Sequence, residues 1–243
     1  MSDDGGDQAP RRPVDERQPA ASIAGHRYGW FLGFAALIAI AASVIGHHGD
    51  ESPGVLGLKV GARLAPFAVP LATADISCER PADPCDANIA TRRGQRSAGS
   101  RPACEVRGPA ILNVCELTER GPLVLAFLGT TGGDCADALD PLQDVARRHP
   151  GVQVAVVGIR GELSNLRTIV ANHRWSFPVG WDRDGILASL YGVALCPYVT
   201  YARWRGRVEG TSIGDLDRRA LDRHVGAAVA ASKRSGWSPP KNR

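Results

Sequence analysis

The longest apolar pattern lies near the start of the chain, where Tyr28 to Gly46 reads YGWFLGFAALIAIAASVIG, 19 residues without a charge. Wound as a helix this run reaches about 28 Å, close to the hydrocarbon thickness of a bilayer. No polar stripe breaks its circumference, so it predicts a transmembrane helix rather than a core helix. It also exceeds the apolar region of a cleaved signal peptide, which favours a retained anchor. Residues 1–27 are rich in Asp, Gly, Pro and Arg and predict a disordered tail, because they have too little apolar surface to bury. Residues 47–59 read as a Gly/Pro linker.

Beyond Val60 the pattern changes to short alternating elements, which predicts one α/β domain over 60–232 and a flexible tail over 233–243. Its opening segment, 60–70, is extended. Residues 73–109 hold few large apolar side chains and predict a long insertion that needs an external restraint. Ile111–Val114 and Leu123–Leu128 have strand length and composition. From Asp134 to Arg148, Ala138, Leu139, Leu142, Val145 and Ala146 recur on one helical face. Val152–Ile159 predicts a buried strand, and a helix capped by Ser164 runs through Ala171. Phe177–Val179 reads as a short strand, with a helical turn over Ile186–Leu190. Tyr198–Ala202 and Val208–Ile213 flank Trp204–Arg207 as a hairpin. A last helix opens at Asp215 and carries Leu216, Leu221, Val225 and Val229 as its stripe. Crossover helices first and a hairpin last predict a mixed sheet with helices on both faces.

Charge adds direction to this plan. Arg11, Arg12, Arg17 and Arg27 precede the apolar run, whereas only Lys59 and Arg63 follow it within a similar distance. The positive-inside rule therefore puts the N-terminus in the cytoplasm and everything after Gly46 outside, on a single-pass cell-membrane protein. Net charge is +4, too mild for nucleic-acid binding, and no basic helix with interleaved aromatics occurs. Arg92, Arg93, Arg96 and Arg101 read as a solvated stretch of the insertion. The histidines show no ligand spacing, and no cofactor or metal motif is expected.

Outside the cytoplasm the cysteines gain meaning. Cys78, Cys85, Cys104 and Cys115 are spaced C-x6-C and C-x10-C, which suits disulfides rather than a zinc ribbon. Their connectivity is open among three pairings. Closing loops of this size stabilises by roughly 2–4 kcal/mol each and would hold the insertion.

Four segments in order carry a resemblance. Gly61-Ala62-Arg63-Leu64-Ala65-Pro66-Phe67 is similar to a "G-x-x-A-P-x-F" opening shifted by one residue. Phe127-Leu128-Gly129-Thr130-Thr131-Gly132-Gly133-Asp134-Cys135 stands at a strand-to-helix turn, like "F-W-A-x-W-C-x-x-C". Leu190-Tyr191-Gly192-Val193 followed by Pro197 is similar to "Y-G-V-x-x-x-P", and Tyr198–Arg207 to the hairpin that follows it. Residues 60–231, apart from the insertion, thus resemble the extracytoplasmic, membrane-anchored thioredoxin-like and peroxiredoxin-like (redoxin) families. The resemblance implies a thioredoxin-like fold.

The departures shape the functional expectation. Cys135 takes the place of the second cysteine of the oxidoreductase motif, and Gly132 stands where the first, attacking cysteine belongs. On the peroxiredoxin pattern "P-x-x-x-T-x-x-C", Gly129 replaces the proline and Thr131 comes one position early. In a thioredoxin fold the residue before the cis-proline lies against the active-site turn, so the resemblance implies that Cys196 meets Cys135 within the roughly 4.4–6.8 Å Cα separation of a disulfide. A helix N-terminus would stabilise a Cys135 thiolate, while Asp134 opposes it. The expectation is a membrane-tethered thiol–disulfide oxidoreductase with Cys135 as nucleophile, Cys196 as resolving partner, and Pro197, if cis, shaping the docking edge. Its partners would be protein thiols or disulfides and a membrane or extracytoplasmic electron donor. The alternative is a non-catalytic thioredoxin-like binding or scaffold module, and a thiol peroxidase comes third.

Overall fold

The structure, a computed structural model, describes residues 57–76, 85–95, 99–130, 135–214 and 216–240, all within the compact unit Ser52–Arg243. The expected cytoplasmic tail, the transmembrane run 28–46, Cys78 and Asp134 lie outside the described residues. Among the described residues no helix is long and apolar enough to cross a membrane.

Five strands form the central sheet: β3 (Leu123–Gly129), β4 (Gln153–Ile159), β5 (Val179–Asp182), β6 (Tyr198–Arg203) and β7 (Arg207–Ile213). Their spatial order is β5-β4-β3-β6-β7. β3, β4 and β5 are parallel, while β6 runs antiparallel to β3 and β7 antiparallel to β6. The sheet is therefore mixed, as the order of apolar runs predicts. β3 is apolar without alternation because both its faces are covered. Val124, Ala126 and Leu128 belong to one core cluster, and Leu123, Leu125 and Phe127 to the other.

Helices α2 (Pro141–Arg148), α3 (Leu163–His173) and α5 (Arg218–Arg234) cover the first face with Leu142, Val145, Leu166, Leu221 and Val225. Helices α1 (Val114–Arg120) and α4 (Ile186–Tyr191) cover the second with Leu117, Leu187 and Tyr191.

Several elements differ from expectation. The single helix predicted over Asp134–Arg148 is divided: a 3-10 turn at Asp137–Leu139 comes first, and α2 begins at Pro141. Proline has no N–H to donate back along a helix, so it starts one rather than continuing one. β5 pairs from Val179 rather than spanning Phe177–Val179, because Pro178 cannot donate to the ladder. α3 starts at Leu163 with Ser164 inside it, and the last helix is capped by Asp217, whose Oδ2 accepts from the Ala220 N–H at 2.9 Å. α5 continues to Arg234, and buried Trp237 donates its indole N–H to the Arg120 carbonyl at 3.2 Å. Residues 233–237 thus belong to the domain, not to a flexible tail. At the other end Gly57 and Leu58 are already fastened, to the Gly192 carbonyl at 2.8 Å and to the Tyr198 hydroxyl at 2.9 Å.

The strand expected over Ile111–Val114 ends one residue early, and α1, a helix the sequence pattern did not predict, starts at Val114. Pairing stops at Asn113, the last residue of β2 (Ile111–Asn113), which runs antiparallel to β1 (Ala68–Pro70). The Asn113 carboxamide oxygen then accepts from the Cys115 and Glu116 N–H groups at 2.8 and 3.2 Å, capping α1.

The insertion is restrained in the way its composition demands. Cys104 is bonded to Cys115 with Cα atoms 5.4 Å apart, and Cys85 is also in a disulfide. Backbone hydrogen bonds add to this: Asn88 and Ala68 exchange two, at 2.8 and 2.9 Å, and the Ala103 N–H reaches the Ala90 carbonyl at 2.7 Å. The Asn113 amide donates to the Ala103 and Val106 carbonyls, both at 2.8 Å.

Candidate functional site

The parallel strands β3, β4 and β5 all end at one edge of the sheet, and β6 begins there. Gly129 is level with Ile159, and Ile159 with Asp182. Phe127 is level with Tyr198 in the antiparallel β3–β6 ladder. Extending that register by two residues sets Cys196 opposite Gly129.

Gly192, with φ +64°, ends α4 in the left-handed region, which glycine occupies without steric cost. This turn sends the chain across the sheet end as the segment Val193–Pro197. The Cys196–Pro197 peptide bond is cis, and the Pro197 carbonyl accepts from the Gly214 N–H at 2.9 Å.

Cys135 and Cys196, 61 residues apart in sequence, are joined by a disulfide with Cα atoms 5.8 Å apart. The expected meeting of the two sulfurs therefore occurs. Their surroundings differ. Cys135 is partly buried and packs against the core cluster on the sheet face that α2, α3 and α5 cover. Cys196 is exposed, and its Sγ accepts from the Gly129 N–H at 3.1 Å. Thr130, the next residue, is buried and donates its hydroxyl to the Arg160 carbonyl, which ties the end of β3 to the start of the β4–α3 connection.

The α-helix expected to start beside Cys135 begins instead at Pro141. Five residues lie between it and the first residue of α2, and Cys135 itself is in a 3-10 stretch ahead of the Asp137–Leu139 turn. The helix-dipole effect falls off within the first turn, so α2 does little for a Cys135 thiolate.

Beside Cys196 lies an open groove of about 520 Å³, lined by Gly129, Ile159, Arg160, Val193 and Leu195 among others. Leu195 is 57% exposed, and Ile213, level with Tyr198 on β7, is 40% exposed. Large apolar side chains thus stand in solvent on both sides of the Cys196–Pro197 bond. The sequence marks Gly129 only as the residue standing where the peroxiredoxin pattern has proline, and it marks neither Leu195 nor the groove. A glycine ending an apolar strand is a usable signal for close approach of another backbone, but exposure of Leu195 has none.

Asp182 was also missed. It is fully buried at the end of β5, and its Oδ2 accepts from the Leu187 N–H at 2.9 Å. Its Oδ1 has no hydrogen-bond partner among the described residues. Burial pushes its pKa up to about 7, Asp184 adds to the rise, and the Leu187 N–H opposes it. His173, expected to be bland, lies against acidic groups: Nδ1 is 2.9 Å from Asp140 Oδ1. The same oxygen accepts from the Trp175 indole N–H at 2.9 Å, so this cluster fastens α3 to the turn before α2.

A mixed five-stranded sheet with helices on both faces, and a cis-proline next to the cysteine that meets the end of β3, is a thioredoxin-like fold. Solved structures agree. One, provisionally named thiol:disulfide interchange protein DsbE, of Chlorobium tepidum, matches with a TM-score of 0.52 at 19% identity, over 71% of this chain and 99% of its own. Another, provisionally named a protein disulfide isomerase, of Bacteroides thetaiotaomicron, matches with a TM-score of 0.53 at 10% identity, over 74% and 98%. No protein-family model and no curated protein matches the sequence.

Proposed function

We propose that this chain is a thiol–disulfide oxidoreductase that works by opening and closing the Cys135–Cys196 bond, outside the cytoplasm and tethered by residues 28–46. The observation that carries this reading is a disulfide at an exposed end of the sheet, joining residues brought together only by the fold. A purely structural bridge has no need of an exposed sulfur beside an open groove. In the oxidised state a substrate dithiol becomes a disulfide as the pair is reduced to two thiols, and the reverse reaction reduces a substrate disulfide. Two electrons and two protons move in either direction, so a second thiol–disulfide partner must restore the pair. The names of the two solved structures fit this class. A static bridge in a non-catalytic module is the competing reading.

The test is a titration of the full chain against a glutathione redox buffer, with alkylation and mass mapping of each cysteine. The Cys135–Cys196 pair is expected to open at potentials where Cys104–Cys115 stays closed. A pair that never opens in the native protein overturns the proposal.

Placement outside the cytoplasm is supported by the uncharged run 28–46 with arginines before it. The disulfide chemistry of the insertion is of the kind that persists in oxidising compartments. In cells making the full chain, the protein is expected in the membrane fraction, resistant to carbonate, with its domain digested by protease added outside the inner membrane. A domain protected until that membrane is breached contradicts this.

A further inference from the structure

The roles of the two sulfurs follow from their surroundings, given that the pair is redox-active. We infer that Cys196, and not Cys135, is the sulfur that exchanges with substrate, so that the mixed disulfide forms on Cys196 and Cys135 is the resolving cysteine. This reverses the assignment expected from the motif, in which Cys135 takes the position of a motif cysteine and Cys196 merely resolves.

Three independent observations carry the inference. The first is access. Thiol–disulfide exchange requires the incoming thiolate to reach one sulfur from behind, in line with the bond that breaks. Cys196 is exposed and lines the open groove, whereas Cys135 is partly covered and is not part of that lining. The second is hydrogen bonding. The Gly129 N–H points at Cys196 Sγ from 3.1 Å, and a donor held there stabilises the thiolate left after reduction. The third is what Cys135 lacks. It packs against apolar core residues, which disfavours its charged form.

In the oxidising direction a substrate thiolate attacks Cys196 Sγ, the Cys135–Cys196 bond breaks, and Cys135 leaves as a thiolate that takes up a proton. A second substrate thiolate then attacks the substrate sulfur of the mixed disulfide, releasing substrate disulfide and the Cys196 thiolate. In the reducing direction the Cys196 thiolate attacks a substrate disulfide and expels one substrate thiolate. Cys135, deprotonated, then attacks Cys196 Sγ, re-forms the intramolecular bond and expels the other. Access outweighs leaving-group quality here, because a sulfur that cannot be approached cannot be attacked whatever leaves it.

The experiment compares Cys135→Ala and Cys196→Ala in the full chain. Each variant retains one thiol of the pair, and its reaction with 5,5′-dithiobis(2-nitrobenzoate) is followed between pH 5 and 9. Cys135→Ala is expected to react at least tenfold faster at pH 7, with half-maximal rate at lower pH than Cys196→Ala. Because both variants lose the same disulfide, the wild type supplies a second measurement. Reduced wild type is given a limiting amount of iodoacetamide, and Cys196 should be alkylated first. Equal rates, or preferential reaction at Cys135, overturn the assignment. Failure of the pair to open in a glutathione buffer sinks the exchange reading instead, and the single-thiol rates still report which sulfur is accessible. The two failures are therefore distinguishable.

Discussion

Replacing Asn113 with alanine is expected to destabilise the domain by about 3 kcal/mol, although no charge and little apolar surface is lost. Asn113 is buried, and its one side chain makes four hydrogen bonds. Its oxygen caps α1, a contribution of about 1 kcal/mol when lost to alanine. Its amide serves the Ala103 and Val106 carbonyls. The Ala103 carbonyl keeps the Val106 N–H as a donor at 3.0 Å, but the Val106 carbonyl is left without one, which costs roughly 1–3 kcal/mol, less where water can enter. The effect also has a spatial logic, because Asn113 joins α1 to the same stretch of insertion that Cys104–Cys115 clamps. For a domain of this size the melting temperature should fall by roughly 10 °C. Urea unfolding of the two proteins checks it, and a loss below about 1 kcal/mol would show that the disulfides and backbone hydrogen bonds hold the insertion without Asn113.

The second large effect concerns pH. Asp182 carries a folded-state pKa of about 7 against an ordinary 3.8, chiefly because burial disfavours its charged form. Between those values the folded protein holds a proton that the unfolded chain has released. Raising the pH through this window therefore favours unfolding, and the loss is complete above the folded pKa. Stability should fall by on the order of 4 kcal/mol between pH 4 and 8 on account of this group alone. Asp182→Asn keeps an oxygen for the Leu187 N–H and cannot ionise. It is expected to equal the wild type near pH 4, to exceed it at pH 8, and to flatten this part of the pH profile. Chemical denaturation at several pH values reads this directly. A variant less stable than the wild type at pH 8 would mean that the ionised carboxylate has favourable partners in the folded state.

These two residues show where reading the chain in one dimension stops. Asn113 stands three positions before Glu116, a capping signature that was available in the sequence. It was overridden by the apolar run Ile111–Val114, which scores as a strand until Asn113 turns it. Asp182 offers no comparable signal, because an aspartate after Val179–Trp181 looks like a turn residue in solvent. Only the covering of β5 by its neighbours makes it a buried acid. The split of the predicted helix over 134–148 has a local cause, Pro141, and was legible in principle.

Patterns with a short range lie in the sequence itself. The apolar runs of β3 and β4, the hairpin of β6 and β7, the stripe of α5 and the Cys196–Pro197 pair depend on neighbours a few residues apart. Pleat, helical period and turn chemistry act over the same distance. Proximity between remote residues, and shelter from water, depend on how layers close over one another. The bond between Cys135 and Cys196 became visible through resemblance to other folds, and its geometry comes from the register of β3 with β6. Which sulfur faces solvent was decided later still, by the packing of Cys135 against the core and by the turn at Gly192 that leads the chain to exposed Cys196. Exposure belongs to the assembled surface, and no single segment of the chain carries it.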